Sequence, residues 1–339
     1  MNFLNKFTGV LFFAATAATL TGCDAMFHDD LADCPQGVYV NFYTKTSCET
    51  AERDLGKVSQ LHVLAFDYNH KLVAVKEEKD VNLTRDHKVL MPVGNGTYSF
   101  IGWAGATPAL FDNAPLTLGT TTKEDVMLAL KHQANGQYLD LAGHQLYQGL
   151  SEKPILMEDP ATHGSVYKNV AVNLLEKTYR IKVQVKVDPS LQGKVNVNDF
   201  ALNVTGGNGS LQINGETPNN LAVAAYPKTI VAKTNDAYTY DYTTLDLKTG
   251  KNNTISLVNT VTNDTIWNAD LLGTALLGGP SGLMKNPNVN IDCDHDLDVV
   301  FVIGDKCKDC HKPSGTYVCA AIYVNSWLVH SYKYTLLNQ

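Results

Sequence analysis

The run Tyr179-Arg-Ile-Lys-Val-Gln-Val-Lys-Val187 constrains the fold more than any other stretch. Ile181, Val183, Val185 and Val187 fall on one side of an extended chain, with Lys182, Gln184 and Lys186 on the other. That period of two belongs to a strand with one buried and one wet face, and an amphipathic helix would need a period near 3.6. Comparable stretches bounded by turn residues recur at 38–43, 58–67, 72–75, 166–175, 200–204, 211–213, 229–232, 238–247, 254–258, 299–303, 316–324 and 327–337. Residues 89–93 and 98–103 flank Gly94-Asn95-Gly96 and are predicted to form a hairpin. Helix is expected at two places only. Thr121 with Glu124 looks like a capping box ahead of Val126, Met127 and Leu130, and 270–277 is a short helical candidate. The expected fold class is mainly β: two tandem antiparallel β-sandwich domains with a few short helices, divided near residue 175 into 34–175 and 176–339.

The N-terminus reads as an export signal. Lys6 precedes an apolar stretch at 7–18 that is too short to span a bilayer, and Leu20-Thr21-Gly22-Cys23 closes it with small residues. This resembles a bacterial lipobox, in which cleavage falls between Gly22 and Cys23 and the cysteine thiol carries lipid such as palmitate. Residues 1–22 are then a lipoprotein signal peptide, and 23–33 an acidic tether. The several acyl chains expected on such a cysteine would hold the protein firmly to a membrane. Acidic residues just behind the cysteine also resemble the signal that sends lipoproteins of Bacteroidetes to the outer face of the outer membrane, although a plain solvated spacer has the same composition.

Charge argues against nucleic acid as a partner. The formal net charge is −7, the arginines are Arg53, Arg85 and Arg180, and no basic run occurs. In an exported chain the cysteines other than Cys23, namely Cys34, Cys48, Cys293, Cys307, Cys310 and Cys319, are expected to form disulfides whose pairing the sequence leaves open. Cys307-Lys-Asp-Cys310-His311 matches the haem-attachment spacing, and Cys293 to Cys319 could hold zinc, but disulfides account for the same thiols. Asp292, Asp294, Asp296 and Asp298 alternate like calcium ligands, yet Leu297 and Ile303 stand where such a loop needs glycine and glutamate. No cofactor or metal is therefore expected. No H-E-x-x-H, Walker A or G-x-S-x-G run is present, so the sequence gives no reason to expect an enzyme.

The stretches Asp33-Cys-Pro-Gln-Gly-Val-Tyr-Val-Asn-Phe42, Val58-Ser-Gln-Leu-His-Val-Leu-Ala-Phe-Asp67, Gly96-Thr-Tyr-Ser-Phe-Ile-Gly-Trp-Ala-Gly105 and Tyr323-Val-Asn-Ser-Trp327 resemble, in order, the FimB family of fimbrial anchor lipoproteins from Bacteroidetes. The resemblance implies transthyretin-like sandwiches, a lipid-held base in the outer membrane, and a role in attaching a fimbrium and limiting its length. It also implies fimbrillin-like shaft subunits as partners. Shaft proteins of this class are implied to lose an N-terminal strand to an arginine-directed protease, but here no arginine precedes Arg53, beyond the first strand candidate. The alternative is a surface adhesin that binds glycan or host protein without a fimbrium.

An open sheet edge is what such assembly needs, because its unpaired amides and carbonyls accept a neighbour's strand. The last strand candidate, Trp327-Leu-Val-His-Ser-Tyr-Lys-Tyr-Thr-Leu-Leu337, carries Leu328, Tyr332, Tyr334 and Leu336 on one side and Trp327 at its base. Alternation cannot decide whether it completes its own sheet or is lent to a partner.

Overall fold

The structure, a computed structural model, describes residues 34–219, 221–276, 285–307 and 312–332. Gly22, Cys23, the acidic stretch up to 33, Cys310, Tyr334 and Leu336 lie outside the described residues. The described strands before residue 177 are β1 (Gly37–Tyr43), β2 (Gly56–Phe66), β3 (Leu72–Leu83), β4 (Lys88–Met91), β5 (Gly96–Ala104), β6 (Phe111–Asn113), β7 (Met127–Leu130), β8 (Tyr147–Leu150), β9 (Ile155–Met157), β10 (Tyr167–Asn173) and β11 (Leu175–Glu176). Those after it are β12 (Thr178–Val187), β13 (Phe200–Gly206), β14 (Ser210–Gln212), β15 (Ala224–Ala225), β16 (Thr229–Lys233), β17 (Ala237–Leu245), β18 (Thr254–Asn259), β19 (Thr265–Asp270), β20 (Asp296–Asp305), β21 (Tyr317–Val324) and β22 (Trp327–Ser331). Helix among the described residues comprises α1 (Pro160–His163), α2 (Leu271–Leu276), Tyr332 and single 3-10 turns. The chain is mainly β, as its alternation demands.

The first group forms a sheet β10-β1-β4 and a second, β11-β8-β5-β2-β3, to which β9 adds through β5. Val38, Val40 and Phe42 of β1 pack with Leu61, Val63 and Phe100 in one core. In the second group, β16-β17-β12-β20-β21-β22 forms one sheet and β15-β13-β18-β19 another. Val183, Val185 and Phe301 are fully buried, and each such side chain contributes about 1.5–3 kcal/mol by leaving water. Most pairings are antiparallel, but β1 with β10 and β12 with β20 are parallel, each joined by a long crossover.

Two local expectations fail for instructive reasons. β4 and β5 are not a hairpin, because β4 pairs with β1 while β5 pairs with β2, β8 and β9. Val89, Met91, Tyr98 and Phe100 are buried in the same core, so the turn at 94–96 carries the chain from one sheet to the facing one. Alternation reports a buried face and says nothing about whether the neighbour across it is hydrogen-bonded or stacked. Nor does 121–130 form the expected helix. The Asp125 carboxylate accepts from Thr122 N and Oγ1, both at 2.8 Å, but this closes only a 3-10 turn over Lys123–Asp125 before β7 begins. Leu128 and Leu130 are buried with the period of a strand.

β7 pairs with β6 on one side and with β14 on the other, placing Leu128 opposite Leu211. Strands from the two parts of the sequence thus share a fifth sheet, β14-β7-β6, and residues from Leu64 to Val329 contribute to one continuous core.

Candidate functional site

The sheet β16-β17-β12-β20-β21-β22 ends in β16 on one side and β22 on the other. β16 is exposed along its whole length, with Ile230 62% and Val231 53% accessible, and its register with β17 breaks between Ile230 and Ala232. Lys228 and Lys233 flank that bulge. An irregular, lysine-marked edge is a poor template for another strand. β22, Trp-Leu-Val-His-Ser, carries no acidic or lysine side chain, and no described strand pairs with its outer side.

β22 is firmly placed. It returns from β21 through Asn325 and Ser326, whose φ values of 47° and 67° suit the two-residue turn that follows the twist of paired strands. Asn325 Oδ1 accepts from Asp298 N at 2.8 Å, and its Nδ2 donates to Asn288 O at 3.1 Å. Asn286 Nδ2 donates to Val324 O and Ala275 O. Val329 is buried, while the His330 ring rests 4.8 Å from that of Trp267 with Nε2 3.2 Å from Cys319 O. Burial holds His330 below its ordinary pKa, favouring the neutral ring. Trp327 and Leu328 are half-buried within this strand, but it ends at Ser331 and Tyr332, expected on the same strand, is already helical.

The cysteines separate into distinct roles. Cys48 and Cys293 form a disulfide across a sequence separation of 245, with Cα atoms 6.1 Å apart. Cys34 and Cys307 each take part in a disulfide as well. Cys319 corrects the expectation for its thiol: it is free, and it faces the core opposite Ile303. Burial alone pushes its pKa up to about 12, so at neutral pH it behaves as a small apolar side chain. Iodoacetamide is accordingly expected to leave Cys319 unmodified in the folded protein and to alkylate it after denaturation. Rapid labelling in the native state would contradict this placement.

Beside the Cys48–Cys293 bond, Arg180 joins the two groups of strands. Its Nε and Nη2 donate to the two carboxylate oxygens of Asp296 at 2.6 and 3.0 Å, and Nη1 donates to Glu176 of β11 at 2.5 Å. These charge-assisted bonds hold Asp296 below the ordinary carboxylate range and raise the Arg180 guanidinium further. The four alternating aspartates therefore have unlike roles. Asp296 is paired, Asp298 lies exposed on β20, Asp294 Oδ2 accepts from Asn290 N at 2.7 Å in the preceding turn, and the exposed Asp292 meets the same Asn290 only through its backbone N–H, which donates to Oδ1 at 3.2 Å. Neither the Arg180–Asp296 pairing nor the β7–β14 contact had a sequence signal, since both join residues far apart in the chain.

Comparison with known proteins gives this architecture a context. The family described as fimbrillin-A associated anchor proteins Mfa1 and Mfa2 matches residues 31–333. The chain belongs to that family. It is 31% identical over 324 residues to the minor fimbrium anchoring subunit Mfa2 of Porphyromonas gingivalis, covering 94% of this chain and 92% of that one. The solved structure of the fimbrial anchor protein Mfa2 from Porphyromonas gingivalis superposes with a TM-score of 0.75 at 27% identity, over 88% of this chain and 100% of the other. A candidate polysaccharide-binding protein from Bacteroides thetaiotaomicron shares the fold, with a TM-score of 0.68 at 18% identity and coverage of 86% and 96%. The resemblance read from residues 33–42, 58–67 and 96–105 thus leads to an anchor-subunit family, whose members have a structural role in fimbriae.

Proposed function

We propose that this protein is the lipid-held base of a fimbrium. In this reading, cleavage after Gly22 leaves Cys23 acylated in the outer membrane, residues 23–33 are a surface tether, and two sandwich domains, 34–175 and 176–339, follow. Fimbrillin-like shaft subunits join through strand addition at the last sheet edge, so that each anchor starts or ends one filament and limits its length. The observation that supports this most is β22: a strand near the C-terminus, at the edge of its sheet, uncharged along its ladder and pinned at its turn. A docked strand would gain backbone hydrogen bonds there without the chain having to open its own sheet.

Replacing Cys23 with alanine is expected to shift the protein from the membrane fraction to the soluble fraction or the medium, with its strand content intact. Mass spectrometry of the membrane form reads the same point directly. An unmodified Cys23 in that form would remove the lipid anchor from the proposal. Co-purification of the intact lipoprotein with fimbrillin-like subunits tests the partner, and recovery of glycan alone would favour an adhesin.

A further inference from the structure

The outward faces of the two groups of strands are built differently. On β12 the outward positions are Lys182, Gln184 and Lys186, the pattern of a face turned to water. On β1 they are Tyr39, Asn41 and Tyr43, since Val38, Val40 and Phe42 point into the core. β10 adds Tyr167 and Asn169 on the same side, and β4 adds Lys88 and Leu90. Lys88 is the one charged side chain among the outward positions of these three strands.

These side chains make a level strip. The Tyr39 and Tyr167 rings lie 5.8 Å apart at 33°, and Leu90 stands across from Tyr39 on β4. Gly37 makes room for that leucine, because a Cβ there would come within 2.9 Å of Leu90 Cδ1. Tyr167 and Leu90 remain 44% and 37% accessible, so the apolar end of the strip is open. Amides follow it. Asn169 is level with Tyr39, and Asn41 with Lys88. Asn169 Oδ1 accepts from Lys88 Nζ at 3.4 Å, which leaves its Nδ2 to donate outward. Asn173 is occupied by Lys45, accepting from its N–H at 2.9 Å and donating to its carbonyl at 2.8 Å. At the far end Tyr43 borders a groove of about 460 Å³ that Asn169, Glu152 and Lys153 also line.

We infer that the outward face of β10-β1-β4 is a platform for a polysaccharide chain, and that the chain is glycan of the cell's own surface. A pyranose ring has an apolar C–H face and a rim of hydroxyls. Tyrosine rings cover the first, and uncharged amides, which both donate and accept, meet the second. β1 is paired on both sides, so its backbone is engaged and an added strand has no ladder to join there. Three strands of at most 7 residues give a strip about 10 Å wide and about 20 Å long, whereas one side of a stable protein interface covers about 800 Å². A linear chain of sugars fits that strip, and a folded partner would touch too little. The source rests on the reading that Cys23 is held in the outer membrane. The chain from Cys23 to Gly37 can span at most about 50 Å, so the strip stands among the saccharides that cover that membrane.

The test is affinity electrophoresis of the full-length mature protein through gels carrying surface polysaccharide extracted from the producing cells, with mucin glycan as the host-type comparison. The wild type is expected to be retarded by the first and not by the second. Tyr39→Ala with Tyr167→Ala should weaken retention about tenfold or more, since both stacking faces are lost. Asn41→Ala with Asn169→Ala removes amides without touching the rings and should weaken it severalfold, so the result does not depend on the folding of one variant. Gln184→Ala, on the other outward face, should run as wild type. A wild type that is not retarded, or tyrosine and asparagine variants retarded equally with it, overturns the platform. Retention by mucin glycan alone overturns the source. Shaft subunits that co-purify with wild type but not with the tyrosine variant would assign the face to a protein and overturn the proposal as well. Retention intact with Cys23 unmodified would uphold the platform and place the failure in the anchoring reading.

Discussion

Tyr138→Ala is expected to destabilise the protein by about 3–5 kcal/mol, the usual cost of removing a large buried aromatic ring. Tyr138 is 2% exposed, its ring centroid lies 4.6 Å from that of Tyr226, and its hydroxyl donates to Gly206 O at 3.0 Å. The packing is tight enough that a Cβ on Gly209 would stand 2.3 Å from the ring. Behind it, Tyr226 Oη donates to Asn208 Oδ1 at 2.7 Å, and Asn208 Nδ2 donates to Leu245 O and Asp246 O at 2.9 and 3.1 Å. Truncation would leave a cavity against this buried polar cluster and remove the plug between the 127–148 segment and β13–β17. Tyr138→Phe keeps the ring and should cost only about 1 kcal/mol, the net worth of one hydrogen bond. Chemical denaturation separates the two cases. A loss below 1 kcal/mol for the alanine variant would mean that the ring does not hold the junction.

Legibility from sequence followed the range of the interaction. Strand β12 could be read residue by residue because burial of Ile181, Val183, Val185 and Val187 is a one-dimensional pattern, and Lys182 and Lys186 are exposed as that pattern requires. Which strand lies beside which is a matter of long-range pairing, so β4 and β5 read as a hairpin although they face each other across a core. The Thr122–Asp125 bonds show a similar limit. A real cap stood at the start of a segment whose Leu128 and Leu130 gain more by burial in a sheet than a helix would offer them. Cysteine chemistry was legible as a class and not as a map. Export favours oxidation, yet Cys319 sits on the buried face of β21 and is better described as core. Tyr138 gave no signal at all, because its neighbours Gly206, Gly209 and Tyr226 come from a distant part of the chain. Of the candidate edge, Trp327 and Leu328 lie on a strand as expected, and that strand is hydrogen-bonded to β21 on one side, with no described strand on the other.

Loss of the Cys48–Cys293 bond is expected to have the other large effect, and through a different state of the chain. Opening a closed loop of 245 residues returns conformational entropy to the unfolded ensemble worth about 5 kcal/mol in the chain-entropy treatment, with measured bonds typically delivering about 2–4 kcal/mol. The paired variant Cys48→Ser with Cys293→Ser isolates this bond, whereas a reductant would also open those of Cys34 and Cys307. Its folded state should be nearly unchanged, because Asn173, Asn290 and Arg180 hold the adjoining loops by other bonds. Near-ultraviolet circular dichroism is therefore expected to match wild type while the denaturation midpoint falls. Combining the pair with Tyr138→Ala makes the sharper experiment. The disulfide restrains the two groups of strands covalently, and Tyr138 with the β7–β14 pairing joins them by packing. Removing either should leave one cooperative transition. Removing both is expected to split unfolding into two transitions, and a single transition in the combined variant would show that the shared core alone couples the sheets.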